Sequence, residues 1–190
     1  TQFGLFGIVA FVLSFTEIIT ETGINILLIQ EKDDIKKYFN TAFVVSIIRG
    51  IVISILMIAS APLIAIFYEN QQLTNLLFTA SVIPFIRGFI NPAVITFLKE
   101  LNYKKEFNYR LYVFSVESIF TLLAVYITRS PMGMVVGLIG GAVFAVIYSF
   151  IMIKPRPQFS FDGLVFRKML KRGKWLTSAG IFNYLYHNGD

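Results

Sequence analysis

Residues 130–153 contain no Asp, Glu, Lys or Arg, and this stretch is long enough for one helix to cross a bilayer. Only 15% of the chain is charged and its mean hydropathy is +0.70, which excludes a soluble globular domain. The sequence therefore predicts an all-α, polytopic transmembrane helix bundle. The five predicted spans, of which the first four each carry one or two charged residues, are residues 5–29, 42–67, 73–98, 111–127 and 132–153.

These spans divide the chain into three parts. Residues 1–153 are predicted to form an N-terminal transmembrane bundle, 154–174 a basic cytoplasmic linker, and 175–190 the start of another span. The first residue is Thr, and the last apolar segment is too short to be complete, so we expect a fragment of a longer protein. The absence of cysteine excludes disulfides and thiol catalysis within this stretch.

Lysines and arginines are unevenly distributed over the predicted loops. If the spans alternate in direction, fourteen of the 17 basic residues lie on one side and Arg129 alone on the other, while Arg49 and Arg87 lie within spans. This asymmetry follows the positive-inside rule, so the basic side is predicted to be cytoplasmic. The net charge of +6 therefore indicates topology, and no nucleic-acid partner is expected.

The linker contains the pattern of an amphipathic helix that lies at the membrane surface. Its apolar and basic residues are Leu164, Val165, Met169 and Leu170 against Arg167, Lys168, Lys171 and Arg172. We expect the basic face to contact anionic lipid headgroups, with membrane lipids as partners. An irregular basic linker is the alternative.

Small residues line one face of the last complete span. Gly133, Gly137 and Gly141 recur at every fourth position, which allows another backbone to approach closely. A neighbouring helix of the same chain is the predicted partner, although a dimer interface uses the same pattern.

Five ionisable residues lie within the predicted spans: Glu17, Glu21, Arg49, Arg87 and Glu117. Such residues are costly in lipid, so we expect them to face the bundle interior or a wet cavity and to form pairs. At about 1.5 Å per residue, Glu17, Arg87 and Glu117 lie near mid-span, and the other two lie closer to the cytoplasm. We therefore predict that Glu17 or Glu117 pairs with Arg87, and that Glu21 pairs with Arg49. Structural ion pairs and a substrate cavity both remain open.

Arg87 and Asn91 share one face of the third span, and Pro84 and Pro92 flank this arginine. Two polar residues at this spacing indicate a cavity-facing stripe, and the prolines predict a kink of the kind found in transport helices. The GxSxG, HExxH and GxGxxG motifs of common enzyme classes are absent. We therefore expect a transporter, with no enzyme activity, metal or cofactor.

Several short motifs follow one another along the chain. They are FGLFGI (3–8), ETGINILLIQEKD (21–33), APLIAIFYEN (61–70), FLKELNYKKEF (97–107), KPRPQFSFD (154–162), RGKWL (172–176) and the final Asp190. In this order and spacing they resemble bacterial oligosaccharide flippases of the polysaccharide-transport family, within the multidrug/oligosaccharidyl-lipid/polysaccharide flippase superfamily. The resemblance implies a MATE-like flippase fold, of which this chain would supply the second to sixth helices and part of the seventh.

The resemblance also implies a substrate and a location. A lipid-linked oligosaccharide on polyprenyl diphosphate would be moved from the cytoplasmic to the outer leaflet of the bacterial cytoplasmic membrane, alongside other polysaccharide-assembly proteins. On physical grounds, the candidates for headgroup binding are Arg49, Arg87 and Asn91, and those for a coupling proton or sodium ion are Glu17, Glu21 and Glu117. A drug exporter of the same superfamily and a membrane enzyme of glycan assembly are the alternatives.

Overall fold

The computed structural model describes residues 2–20, 28–29, 35–169 and 171 of the chain. All regular secondary structure within these residues is helical, which confirms the predicted all-α fold. The elements are α1 (Gln2–Ile19), α2 (Ile35–Phe67), α3 (Gln72–Ala80), α4 (Val82–Arg87), a 3-10 helix (Pro92–Ile95), α5 (Thr96–Lys99), α6 (Tyr103–Thr128) and α7 (Pro131–Met152).

Three of these helices are long and apolar enough to cross a membrane, namely α2, α6 and α7. A fourth crossing is formed if the two bent halves of the third predicted span are counted together, and α1 contributes a shorter apolar helix. The chain is therefore a membrane protein. Most of the second half of the predicted first span (5–29) lies outside the described residues, as does the predicted segment 175–190.

The third span, predicted as one kinked helix over residues 73–98, is broken before Pro92. Its two halves, Gln72–Arg87 and Pro92–Lys99, meet at an angle of 69°. Proline has no backbone N–H to donate, and it disfavours the helical conformation of the residue before it. Asn91 accordingly has φ −61° and ψ 115°, which is an extended conformation. The predicted kink is therefore present, as a complete break of the helix.

Both α2 and α6 begin earlier than hydropathy predicted. The expected first residues were 42 and 111, whereas the helices begin at Ile35 and Tyr103. Asn102 caps α6, because its side-chain oxygen accepts a hydrogen bond from the backbone N–H of Lys105 (3.2 Å). Hydropathy detects only the apolar part of a helix, while backbone hydrogen bonding continues into the polar turns.

The main hydrophobic core joins α1, α2, α3, α4 and α7. Its buried side chains include Leu13, Met57, Leu76, Ile83 and Val135. Helix α6 has no buried residue and packs mainly against α7. The glycines of α7 make this contact possible, since a Cβ at Gly133 would lie 2.8 Å from the carbonyl oxygen of Ala124 and one at Gly137 would overlap Thr121. This glycine face is therefore occupied by a helix of the same chain.

The linker after α7 is attached to the basic end of α2 by two hydrogen bonds. The backbone N–H of Gln158 donates to Oδ1 of Asn40 (2.9 Å), and that of Asp162 donates to Oγ1 of Thr41 (3.1 Å). The Asp162 side chain then caps the next helical turn, as its Oδ1 accepts a bond from the N–H of Leu164 (2.9 Å). The linker is thus held against the bundle.

The helix predicted in the linker is present at residues 163–169. Its apolar face is divided: Val165 and Met169 are buried against the start of α2, whereas Leu164 is exposed. Part of the apolar face therefore packs on the protein itself. Two residues of the same prediction lie outside the described part, Leu170 and Arg172.

Candidate functional site

Asn91 holds the break of the third span in place. Its side chain is fully buried, and Nδ2 donates to the carbonyl oxygens of Ile153 and Pro155 (3.2 Å each). Its Oδ1 accepts from the N–H of Ala93 (2.9 Å), and its own N–H donates to Oγ of Ser149 (3.1 Å). Asn91 is therefore buried with both side-chain polar atoms satisfied, and it lies in the wall of a small cavity next to Arg87.

Two glycines allow α2 and the third span to meet backbone to backbone. A Cβ at Gly50 would lie 2.5 Å from the carbonyl oxygen of Pro84, and a Cβ at Gly88 would lie 2.9 Å from that of Ser46. Real Cβ atoms do not come this close, so only glycine fits at this crossing. Each glycine directly follows an arginine in the repeated tripeptide Ile-Arg-Gly. The contact therefore brings two arginines to one point in the bundle.

These two arginines line a chamber of about 730 Å³ between α1, α2, the third span and α6. The polar and charged side chains in its wall are Ser14, Glu17, Ser46, Arg49, Arg87 and Arg110. Pockets that bind small molecules usually have volumes of ~300–1,000 Å³, so this chamber is large enough for a ligand headgroup. Polar side chains on four elements thus face one cavity in an otherwise apolar bundle.

Arg87 lies between two carboxylates. Its Nη1 is 3.3 Å from Oε1 of Glu17, and its Nη2 is 3.8 Å from Oε2 of Glu117. The predicted pairing is confirmed, with both glutamates as partners of the same guanidinium. The side chains of Arg87, Glu17 and Glu117 keep 34%, 34% and 23% of their surface exposed, and the first two line the chamber.

Arg49 binds the end of α1. Its Nη2 donates to the carbonyl oxygen of Glu17 (2.6 Å), and its Nε donates to Oγ1 of Thr20 (3.3 Å). The last carbonyls of a helix lack intrahelical donors and carry partial negative charge, which favours a cation at this place. Glu21, the predicted partner of Arg49, lies outside the described residues. Both Arg49 and Arg87 are therefore positioned around Glu17, one through its carbonyl and one through its carboxylate.

Gly141 gives the Glu117 side chain room to reach Arg87. A Cβ at Gly141 would lie 2.5 Å from Cβ of Glu117 and 2.9 Å from its Oε2. The methylene groups of Glu117 pack against the backbone of α7 at this point, because glycine has no side chain that would block them. The third glycine of the α7 face therefore serves the ion pair as well as helix packing.

Sequence reasoning missed Arg110, which it assigned to a loop. Because α6 begins at Tyr103, Arg110 belongs to a helix and lines the chamber. Its Nε donates to Oε1 of Glu106 one turn earlier (2.9 Å). The polar sequence around it carried no hydropathy signal, although the capping residue Asn102 indicated where the helix begins. The repeated Ile-Arg-Gly tripeptide was a second overlooked signal.

The described helices and the arginine-lined chamber define a multi-span membrane protein with a charged cavity between apolar helices. Within residues 2–20, 28–29, 35–169 and 171, no group of three acidic or histidine side chains is placed to hold a metal ion. The family described as "Polysaccharide biosynthesis protein" matches residues 1–190, and the chain belongs to that family. This match confirms the resemblance at the level of the family. No curated protein and no solved structure matched the chain.

Proposed function

We propose that the chain is part of a flippase that moves lipid-linked oligosaccharides, carried on polyprenyl diphosphate, across the bacterial cytoplasmic membrane for surface polysaccharide synthesis. The observation that carries this proposal is the glycine-mediated crossing that holds Arg49 and Arg87 at one chamber. Membership of the polysaccharide biosynthesis family supports a role in that pathway. We propose transport rather than an enzymatic activity.

The chamber offers what a diphosphate headgroup needs to enter a membrane protein. A single unpaired charge costs ~2.5 kcal/mol or more at the bilayer centre, so a sugar diphosphate requires a polar path with matching cations. Guanidinium groups present forked donors that match phosphate oxygens, which makes arginine better suited than lysine. In the proposed complex Arg49 and Arg87 each bind one phosphate, while the prenyl chain stays among the lipid tails.

Substrate binding is proposed to involve exchange of partners at Arg87. Its guanidinium already contacts the carboxylates of Glu17 and Glu117, so an incoming phosphate competes with them. A glutamate released in this way requires another positive partner, and a proton or a sodium ion meets that need. Exchange would couple headgroup binding to uptake of a cation, and rocking of this bundle against the rest of the protein would expose the chamber to the other side.

A drug exporter of the same superfamily is the nearest alternative. Three arginines and one glutamate line the chamber, a balance that favours an anionic ligand over the cationic drugs that such exporters remove. A membrane enzyme of glycan assembly would act on lipid-linked units after they had been flipped. Loss of the protein therefore has a different effect for each function: lipid-linked oligosaccharide accumulates on the cytoplasmic leaflet for a flippase and on the outer leaflet for an enzyme, and drug tolerance falls for an exporter.

Deletion of the full-length gene in its own bacterium tests the proposal. We expect loss of surface polysaccharide, accumulation of lipid-linked oligosaccharide on the cytoplasmic leaflet and unchanged drug tolerance, all reversed by the intact gene. Leaflet position is measured by the accessibility of the glycan to an impermeant glycan-modifying enzyme in sealed vesicles. Intact polysaccharide with reduced drug tolerance would indicate the exporter. Oligosaccharide accumulating on the outer leaflet would indicate a polymerase or ligase.

A further inference from the structure

A second, smaller cavity, the antechamber, adjoins the chamber. It has a volume of about 220 Å³. Four of its lining residues, Ser46, Arg87, Ile90 and Arg110, also line the chamber, and Glu106 lies in its wall. The two cavities therefore share walls that include two arginines.

The position of Arg110 on α6 places the antechamber toward the basic end of the bundle. Arg110 precedes Glu117 by seven residues, which is ~10 Å along a helix and nearly two complete turns, so both residues lie on one face. Lys104 and Lys105 lie in the first turn of the same helix. An anion that arrives from this basic end meets Arg110 before it reaches Arg87.

Arg110 is arranged to accept a ligand with little rearrangement. Its side chain is 72% exposed, whereas Glu106 is only 14% exposed. The bond to Glu106 uses Nε, and among the described residues the two terminal nitrogens of Arg110 have no hydrogen-bond partner. Exposed ion pairs contribute little to stability, so this pair can open readily toward an anion of higher charge. The exchange resembles that proposed for Arg87.

We propose that Arg110 and Arg87 form an outer anion site, which receives the diphosphate of a prenyl-linked substrate before the headgroup moves on to Arg49 and Arg87. Glu106 occupies Arg110 in the absence of substrate and leaves it when phosphate arrives. The inference rests on the proposed function, because it assigns an order of contacts to the same substrate. Arg87 belongs to both sites, so it binds the phosphate in the outer site first and then together with Arg49.

Binding kinetics of the full-length protein in lipid nanodiscs test this order of contacts. Farnesyl diphosphate is the probe, farnesol is the uncharged reference, and surface plasmon resonance gives association and dissociation rates. We expect Arg110→Ala to slow association ~5–10-fold and to weaken its dependence on salt, since steering charges act mainly on association. Glu106→Gln should accelerate association, because it removes the competing carboxylate. Lys104→Ala removes the same charge outside both cavities and should change the rate less than twofold, as expected for weak screened steering.

The outcomes separate this inference from the proposed function. If the Arg110→Ala and Lys104→Ala variants bind farnesyl diphosphate equally fast while the unaltered protein also binds it, the outer anion site is refuted. The proposed binding of the diphosphate in the chamber is then unaffected. Absence of diphosphate binding by the unaltered protein would overturn both. Glu106→Gln keeps the test informative if Arg110→Ala fails to fold, since an unchanged association rate in this variant would also refute the exchange.

Discussion

Replacing Arg87 with alanine in the full-length protein is expected to stop glycan export. The variant loses the guanidinium that lies 3.3 Å from Glu17 and 3.8 Å from Glu117, together with the donors proposed for the diphosphate. A hydrogen bond to a charged group contributes ~1.5–3 kcal/mol, so losing one or two of them lowers substrate affinity by ~10-fold or more. The measurement is the amount of lipid-linked oligosaccharide that reaches the outer leaflet in cells with matched protein levels.

The same substitution also weakens the fold, and a combined variant separates the two effects. Two carboxylates left without Arg87 destabilise the bundle by ~1–3 kcal/mol, less than for a fully buried pair because these side chains are partly exposed. Combining Arg87→Leu with Glu17→Gln and Glu117→Gln removes all three charges. This variant should regain normal protein levels without regaining export, and Lys105→Ala should retain both. Normal export by the triple variant would refute a binding role for Arg87.

Replacing Gly50 with leucine is expected to separate α2 from the third span. A Cβ at this position would lie 2.5 Å from the carbonyl oxygen of Pro84, which is a backbone atom and cannot rotate away. Overpacking of this kind costs ~1–3 kcal/mol in well-packed cores, and here the leucine side chain adds further bulk. The expected result is a melting temperature several degrees lower for the purified protein, together with loss of farnesyl diphosphate binding.

Gly7→Leu provides the matched control for this substitution. A Cβ at Gly7 has no neighbouring atom within 4 Å, so the same change of side chain at this exposed helical position meets open space. We expect Gly7→Leu to leave both the melting temperature and ligand binding within error of the unaltered protein. If Gly50→Leu behaves in the same way, then the close crossing that brings the two arginines together is not required.

Hydropathy and charge were sufficient to predict the helical membrane fold and the ion pairs of Arg87. Three charged residues at similar depth in a lipid-surrounded bundle have few partners other than one another, so a pairing of Arg87 with Glu17 or Glu117 is predictable without knowledge of the helix packing, whereas the use of both glutamates is not. The row of glycines at every fourth position predicts close packing of α7 on a neighbouring helix of the same chain, but it does not identify that helix as α6.

The details that the sequence did not predict depend on backbone geometry. Asn91 is predicted to lie one turn after Arg87 in a kinked helix, and the sequence gives no sign that its side chain bonds to the carbonyl oxygens of Ile153 and Pro155. Arg110 was assigned to a loop because hydropathy does not report polar helical turns. The crossing at Gly50 and Gly88 joins segments far apart in the sequence, and neither glycine identifies its partner by local pattern.

Chemical accessibility of the chamber wall shows whether the chamber is hydrated and binds the diphosphate headgroup. Because this stretch has no cysteine, Ser46→Cys introduces a single thiol into the wall, and Ile55→Cys places one on the exposed outer face of the same helix. Thiols react with a charged methanethiosulfonate reagent as thiolates, which form in water and not in hydrocarbon. In the full-length protein, otherwise free of cysteine and embedded in lipid, position 46 should react ~10-fold faster or more than position 55, and farnesyl diphosphate should slow it. Equal rates at the two positions, or no protection by farnesyl diphosphate, would contradict a hydrated chamber that binds the diphosphate headgroup.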